Sequence, residues 1–262
     1  MEQSYSPAEM MTVAAARGLG NGTVCFVGIG IPSAAANLAR LTHAPDVVLI
    51  YESGTIGAKP TVLPLSIGDG ELADTADTVV SVPEIFRYWL QGGRVDVGFL
   101  GAAQVDKYGR LNTTMIGGSY EQPKLRLPGA GGAPEIATSA KEVWIVLHHS
   151  KRALVERLAF VTSSGFVDKS SSTHARGRGP TTLVTDLCVM RSDPETNELV
   201  LTTLHPGVTV EQVQQETGWS LRIAENLSVN AEPTQEELHT LRDLYERTRR
   251  AHGDDDSGAE KG

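Results

Sequence analysis

Residues 23–41 read TVCFVGIGIPSAAANLARL. The apolar run Val24 to Val27 breaks at Gly28 and Gly30, and Pro32 opens an alanine-rich segment, where proline is tolerated because the first helical turn needs no N–H donor. The order is buried strand, glycine turn, helix. It recurs downstream: DVVLIYES at 46–53 reads as a strand, PEIFRYWLQG at 83–92 as a helix with Pro83 near its start, and RVDVGFLGAA at 94–103 as a strand bounded by glycines. Strands alternating with helices need right-handed crossovers, so the expected fold class is α/β, an open mainly parallel sheet flanked by helices.

The flanking sequence fits that frame. Ser6-Pro7-Ala8-Glu9 is a helix start, with Ser6 as N-cap, Pro7 at the first helical position and Glu9 placed to complete a capping box. EVWIVLHHS at 142–150 is strand-like. TTLVTDLCVMRSDPETNELVLTTL at 181–204 holds two apolar runs around Asp193 to Asn197 and predicts an antiparallel hairpin with a long turn. TVEQVQQETGW at 209–219 and TQEELHTLRDLYERTRR at 234–250 read as polar-faced helices; the second carries Leu238, Leu241, Leu244 and Tyr245 on one side, to cover a sheet edge or a partner.

Length and composition bound the rest. The 262 residues suit one large domain over 1–252 followed by a flexible acidic tail, 253–262, which lacks the apolar residues that would offset the entropy of ordering. The 27 glycines exceed the roughly 7% of an average protein and point to glycine turns between apolar strands. A net charge of −9 argues against broad basic patches for nucleic acid or anionic lipid. No segment reaches the roughly 18 apolar residues of a membrane helix, and the start lacks a basic then apolar leader. Cys25 and Cys188, each inside an apolar run, read as buried small hydrophobes of a reducing cytoplasm.

Several chemistries fall away on spacing. GIGIPS between strand and helix resembles a dinucleotide turn, and Glu52 lies roughly where a ribose-binding acid would stand, but the third glycine of that fingerprint is Ser33. No metal site is expected: His148 and His149 are adjacent, so on a strand they point to opposite faces, and no acid or cysteine falls at ligand spacing around them. There is neither a P-loop nor a Gly-x-Ser-x-Gly elbow. Glycine clusters remain at strand ends: Gly28 and Gly30, Gly54 and Gly57, Gly101, and Gly129 to Ala133. In an open parallel sheet these ends converge on one crevice, where a projecting Glu52 among free backbone amides would suit covalent acyl chemistry. The plainer reading is that Glu52 bonds the amides of its own turn.

Taken together and in order, GIGIP, YESG, GAAQVD followed by YGRLNTT, PKLRLPGAGGAPEIATSA, HHSKR, VTSSGF and HPGV, from about Thr12 to Gly218, resemble the β subunit of type I CoA-transferases, in the glutaconate CoA-transferase branch. Within the branch the likeness leans toward the β chain of the steroid ring-opening CoA-thioester hydrolase IpdAB. The resemblance implies the CoA-transferase subunit fold and a homologous α subunit, as a heterodimer or heterotetramer, with the active site between the two. It makes Glu52 the catalytic carboxylate, attacking a thioester to give an anhydride and then a glutamyl-CoA thioester. Gly28, Gly30, Ser53, Gly54, Gly101, Gln104, Gly129, Gly131, Gly132 and Ala133 become substrate and CoA-binding positions. No permanently bound cofactor is implied, coenzyme A entering only with the substrate. Three activities are compatible: hydrolysis of a carbon–carbon bond in a cyclic β-keto acyl-CoA of steroid (cholesterol) degradation, ranked first; CoA transfer between dicarboxylic acids; and a non-catalytic partner role. One departure stands out: the family's His, acid, Lys, Arg is here His149, Ser150, Lys151, Arg152, which leaves His149 out of the catalytic set.

Overall fold

The computed structural model describes residues 5–166 and 177–253, so the expected tail beyond Gly253 lies outside the described residues. Helix α1 (Pro7–Arg17) leads to β1 (Val24–Val27), α2 (Ile31–Leu41), β2 (Val48–Tyr51), β3 (Thr55–Ile56), α3 (Gly70–Asp74) and β4 (Thr78–Val79). A short α4 (Val82–Glu84) continues as a π-helical segment, Ile85–Leu90, before β5 (Val97–Leu100). Two small hairpins follow, β6 (Gln104–Val105) with β7 (Leu111–Asn112) and β8 (Met115–Gly118) with β9 (Pro123–Arg126). The remainder is α5 (Ala133–Ser139), β10 (Glu142–Val146), β11 (Pro180–Val184), β12 (Cys188–Ser192), β13 (Leu199–Leu204), α6 (Val210–Glu216), β14 (Arg222–Val229) and α7 (Gln235–His252).

Ten strands form one sheet in the order β14-β13-β12-β11-β10-β5-β1-β2-β3-β4. The central five, β11-β10-β5-β1-β2, are parallel. Antiparallel strands extend it on both sides, β3 and β4 beyond β2 and β12 and β13 beyond β11. Because successive strand residues face opposite sides, the core splits by alternation. Cys25, Val27, Leu49, Tyr51, Val97, Phe99, Trp144 and Val146 pack under α1, α2 and α7, whereas Phe26, Ile50, Leu100, Val143 and Ile145 pack against the π-helical segment and α5. Each fully buried Leu, Ile or Phe of these faces contributes about 1.5–3 kcal/mol.

The capping box forms as expected: Ser6 N–H donates to Glu9 Oε2 at 2.7 Å and Glu9 N–H to Ser6 Oγ at 3.2 Å. Leu238, Leu241 and Leu244 are buried in α7, which packs on α1 and α2. Both cysteines are buried and unpaired, burial raising the Cys188 thiol to about 12. One expectation gains detail and one needs correction. The 83–92 helix is α-helical only through Glu84; the i→i+5 bond from Gln91 N–H to Phe86 O (2.8 Å) puts the buried Ile85 and Leu90, five apart, on one face. The first apolar run of 181–204 is two strands, β11 and β12, folded at Thr185–Leu187, with Leu187 and Cys188 N–H both donating to Thr185 Oγ1. The expected hairpin is β12 with β13.

Candidate active site

The carboxyl ends of the central strands open into a cleft of about 480 Å³, within the usual range of ligand pockets. It lies where the strand order reverses, between β1 and β5, the place at which open α/β sheets bind ligands. Its walls include Gly28 and Gly30 after β1, Glu52 after β2, Gly101 after β5 and His148 after β10, together with Gly129, Gly131, Gly132 and Ala133 leading into α5. The strand-end glycine clusters named from sequence do meet, save Gly54 and Gly57. Glu52 and His148 are the ionisable side chains among the lining residues.

Glu52 directly follows Tyr51, and the strand alternation that buries Tyr51 toward α2 turns Glu52 to the opposite face, the side of Ile50. There its carboxylate meets the loop before α5. A Cβ placed on Gly132 would stand 2.5 Å from Glu52 Oε1 and 2.6 Å from Phe86 Cζ, so only glycine lets the loop approach both. The turn after Glu52 closes without its help: Gly54 N–H donates to Tyr51 O at 3.0 Å, and among the described residues Glu52 makes no side-chain hydrogen bond or ion pair. Glu52 is therefore not a cap of its own turn.

Not every expected position faces the cleft. Gly54 has φ +105, and a Cβ there would lie 2.0 Å from Val80 O; its place is in the close approach of two chain segments. Ser53 Oγ is buried and, among the described residues, without a partner. Gln104 Oε1 accepts from Asn112 Nδ2 (2.8 Å) and from Ala159 N–H (3.3 Å), and the residue is not among those lining the cleft. Gly129 lines it, but its N–H is already bonded to Thr113 O at 2.8 Å, which removes it from the expected amide donors; among the described residues Gly131 N–H has no such backbone partner. Ser33, at the third position of the dinucleotide-like turn, is fully buried with Oγ 3.0 Å from Tyr51 OH, whose pKa burial raises to about 12. Sequence reasoning misses Phe86 entirely, since nothing local in PEIFRYWLQG marks it as a neighbour of residue 52.

The two histidines part ways as their adjacency requires. His148 lines the cleft, with Nδ1 3.5 Å from Asp186 Oδ2. His149 is buried between Thr185 Oγ1 and Thr217 Oγ1, each 3.0 Å away, and burial pulls its pKa down to about 4 against the opposing pull of Asp186 and Glu216. His205, from the HPGV stretch, is also held neutral by burial, its Nε2 donating to Thr185 O at 2.7 Å while Nδ1 accepts from Asn230 Nδ2 at 2.9 Å. These two histidines brace the Thr185 corner. Among the described residues no cluster of three His, Cys, Asp or Glu could hold a metal, and no helix is long and apolar enough to cross a membrane.

A family profile described as coenzyme A transferase matches residues 8–216, most of the chain. The chain belongs to the coenzyme A transferase family. It is 65% identical over 253 residues to the second, β-type chain of the 3-oxoadipate CoA-transferase of Pseudomonas knackmussii, covering 95% of this chain and 97% of that one. The crystal structure of glutaconate coenzyme A-transferase from Acidaminococcus fermentans superposes with a TM-score of 0.86 at 29% identity, over 94% of this chain and 96% of that one. The cholesterol ring-cleaving hydrolase IpdB subunit of Mycobacterium tuberculosis is 28% identical over 224 residues, 80% of this chain and 82% of that one. Among these relatives of this CoA-transferase family member, the steroid ring-opening hydrolase toward which the sequence reading leaned is the more distant, and the 3-oxoadipate CoA-transferase chain the nearer.

Proposed function

We propose that the chain is the β subunit of a heteromeric CoA-transferase that moves CoA between carboxylic acids, with a 3-oxo dicarboxylic acid of the 3-oxoadipate class as one of them. The carrying observation is the 65% identity to the β-type chain of a 3-oxoadipate CoA-transferase over nearly the whole of both chains. A homologous α subunit completes the site, as the two-chain naming of the relatives implies.

Glu52 is the covalent carrier in this reading. Its carboxylate attacks the carbonyl carbon of the donor thioester, the C–S bond breaks and CoA leaves as thiolate. The thiolate attacks the Glu52 carbonyl of the resulting anhydride, and the donor acid departs as carboxylate. The acceptor carboxylate then repeats the two steps in reverse on the glutamyl-CoA thioester. A carboxylate that no protein donor ties down is free to attack, and Glu52 has no hydrogen-bond partner among the described residues. The amide of Gly131, beside the carboxylate's seat at Gly132, is the donor for the developing oxyanion; such donors are worth roughly 3 kcal/mol each. Gly28, Gly30 and Gly101 belong to the same binding wall.

The test is an assay of the co-purified αβ complex with succinyl-CoA, the donor named for the Helicobacter pylori relatives, and 3-oxoadipate as acceptor. The expected result is 3-oxoadipyl-CoA formed together with free succinate. CoA release without any acyl-CoA product, or turnover confined to cyclic β-keto acyl-CoA substrates, would replace the transferase reading with the ring-opening hydrolase.

A further inference from the structure

Transfer and hydrolysis share one intermediate. The glutamyl-CoA thioester can be attacked at the Glu52 carbonyl carbon by an acid, which keeps CoA activated, or by water. In the second case the C–S bond breaks, Glu52 returns as carboxylate carrying one water oxygen, one proton goes to the thiolate and the other to solvent. What stands beside that carbon therefore decides the outcome.

Phe86 stands there. Its Cζ and Glu52 Oε1 lie within 2.6 Å of one point, the place a Gly132 Cβ would occupy, so ring edge and carboxylate flank the same backbone. The ring is held from behind by the fully buried Phe26, edge-on at 6.0 Å between centroids. Its backbone is fixed by the π-helical turn, with Ile85 and Leu90 buried and Gln91 N–H on Phe86 O. That segment is entered through a capping box, Ser81 N–H donating to Glu84 Oε2 at 2.8 Å. A π-turn inserted into a helix is a geometry that recurs at functional sites. Among the described residues Glu52 itself is held by no hydrogen bond, so packing against Gly132 and Phe86 is what positions its carboxylate.

We propose that Phe86 is a positioning residue that seats Glu52 against Gly132 and keeps water off the glutamyl thioester, so that CoA passes to an acid and not to water. This rests on Glu52 being the covalent carrier. An aromatic edge offers water neither donor nor acceptor, and this edge flanks the same point beside Gly132 as Glu52 Oε1.

The experiment compares the wild-type αβ complex with Phe86→Ala and Phe86→Leu in heavy-oxygen water, using succinyl-CoA and 3-oxoadipate. Transfer and hydrolysis rates are measured, together with label in the side chain of the Glu52 peptide. In Phe86→Ala transfer falls about tenfold or more and the hydrolysis-to-transfer ratio rises about tenfold, with heavy oxygen entering Glu52. Phe86→Leu, which refills most of the space, recovers most of the wild-type ratio, and guards against a folding defect in the alanine variant. A transfer rate that falls while the ratio and the label stay at wild-type values would reduce Phe86 to a packing residue and overturn the proposal. Failure to trap any Glu52 adduct in the wild-type complex would instead remove the carrier reading, and this inference with it.

Discussion

At the scale of single residues the site turns on how close one loop comes to one carboxylate. Gly132 has φ −84 and ψ −1, a conformation open to alanine, so Gly132→Ala carries no backbone strain. Its methyl would nevertheless meet Glu52 Oε1 and the Phe86 ring. The expected outcome is a loss of turnover of about a hundredfold, the cost of an ångström-scale misplacement, with the melting temperature of the complex little changed. Steady-state kinetics beside a thermal melt checks this; unfolding in step with activity loss would mean Gly132 serves packing alone. Glu52 can be singled out in the sequence because a carboxylate at a strand's carboxyl end before Ser-Gly is visible locally. Its neighbour Phe86 cannot, because the contact joins segments separated by a whole strand–helix unit. Gln104 shows the opposite case: a motif match marks it, while the fold engages its carboxamide oxygen with Asn112 and Ala159, away from the cleft lining.

At the scale of elements, legibility follows burial. β1, its glycine turn and α2 are readable because a strand covered on both faces is a continuous apolar run and Pro32 marks the helix start. β14 is not, since Arg222–Val229 is an exposed edge strand without alternation. The π-helical turn reads as α-helix because its composition is that of any helix, and the corner between β11 and β12 is hidden because no glycine or proline marks it. That corner has a measurable property. His149 links it to α6 through Thr185 and Thr217 and is kept neutral by burial, with its pKa near 4 in place of 6.5. The unfolded chain takes up this proton as pH falls past 6.5 and the folded chain does not until about 4. The stabilisation is thus complete above pH 6.5 and is lost progressively toward pH 4, by about 2 kcal/mol between pH 7 and pH 5. Denaturant unfolding of wild type and His149→Gln at the two pH values should show a loss about 2 kcal/mol larger in the wild type, His205 contributing to both. Equal slopes would place the histidine's proton elsewhere.

At the scale of the whole molecule, a five-stranded parallel core sets four strand ends side by side, and the reversal of strand order between β1 and β5 opens the cleft they share. That convergence is legible from glycine clusters alone. The relative rank of transferase and hydrolase is not, because the quoted motifs belong to the whole branch and the two relatives differ in identity over most of the chain, 65% against 28%. In the proposed reaction CoA rides on this chain through Glu52. Mass spectrometry of the αβ complex, quenched after mixing with succinyl-CoA and no acceptor, tests it most directly. CoA is expected on the peptide containing Glu52 and not in Glu52→Gln, whose transfer activity falls more than about 10³-fold. A Glu52→Gln complex that still transfers CoA, or an adduct found only on the α subunit, would contradict it.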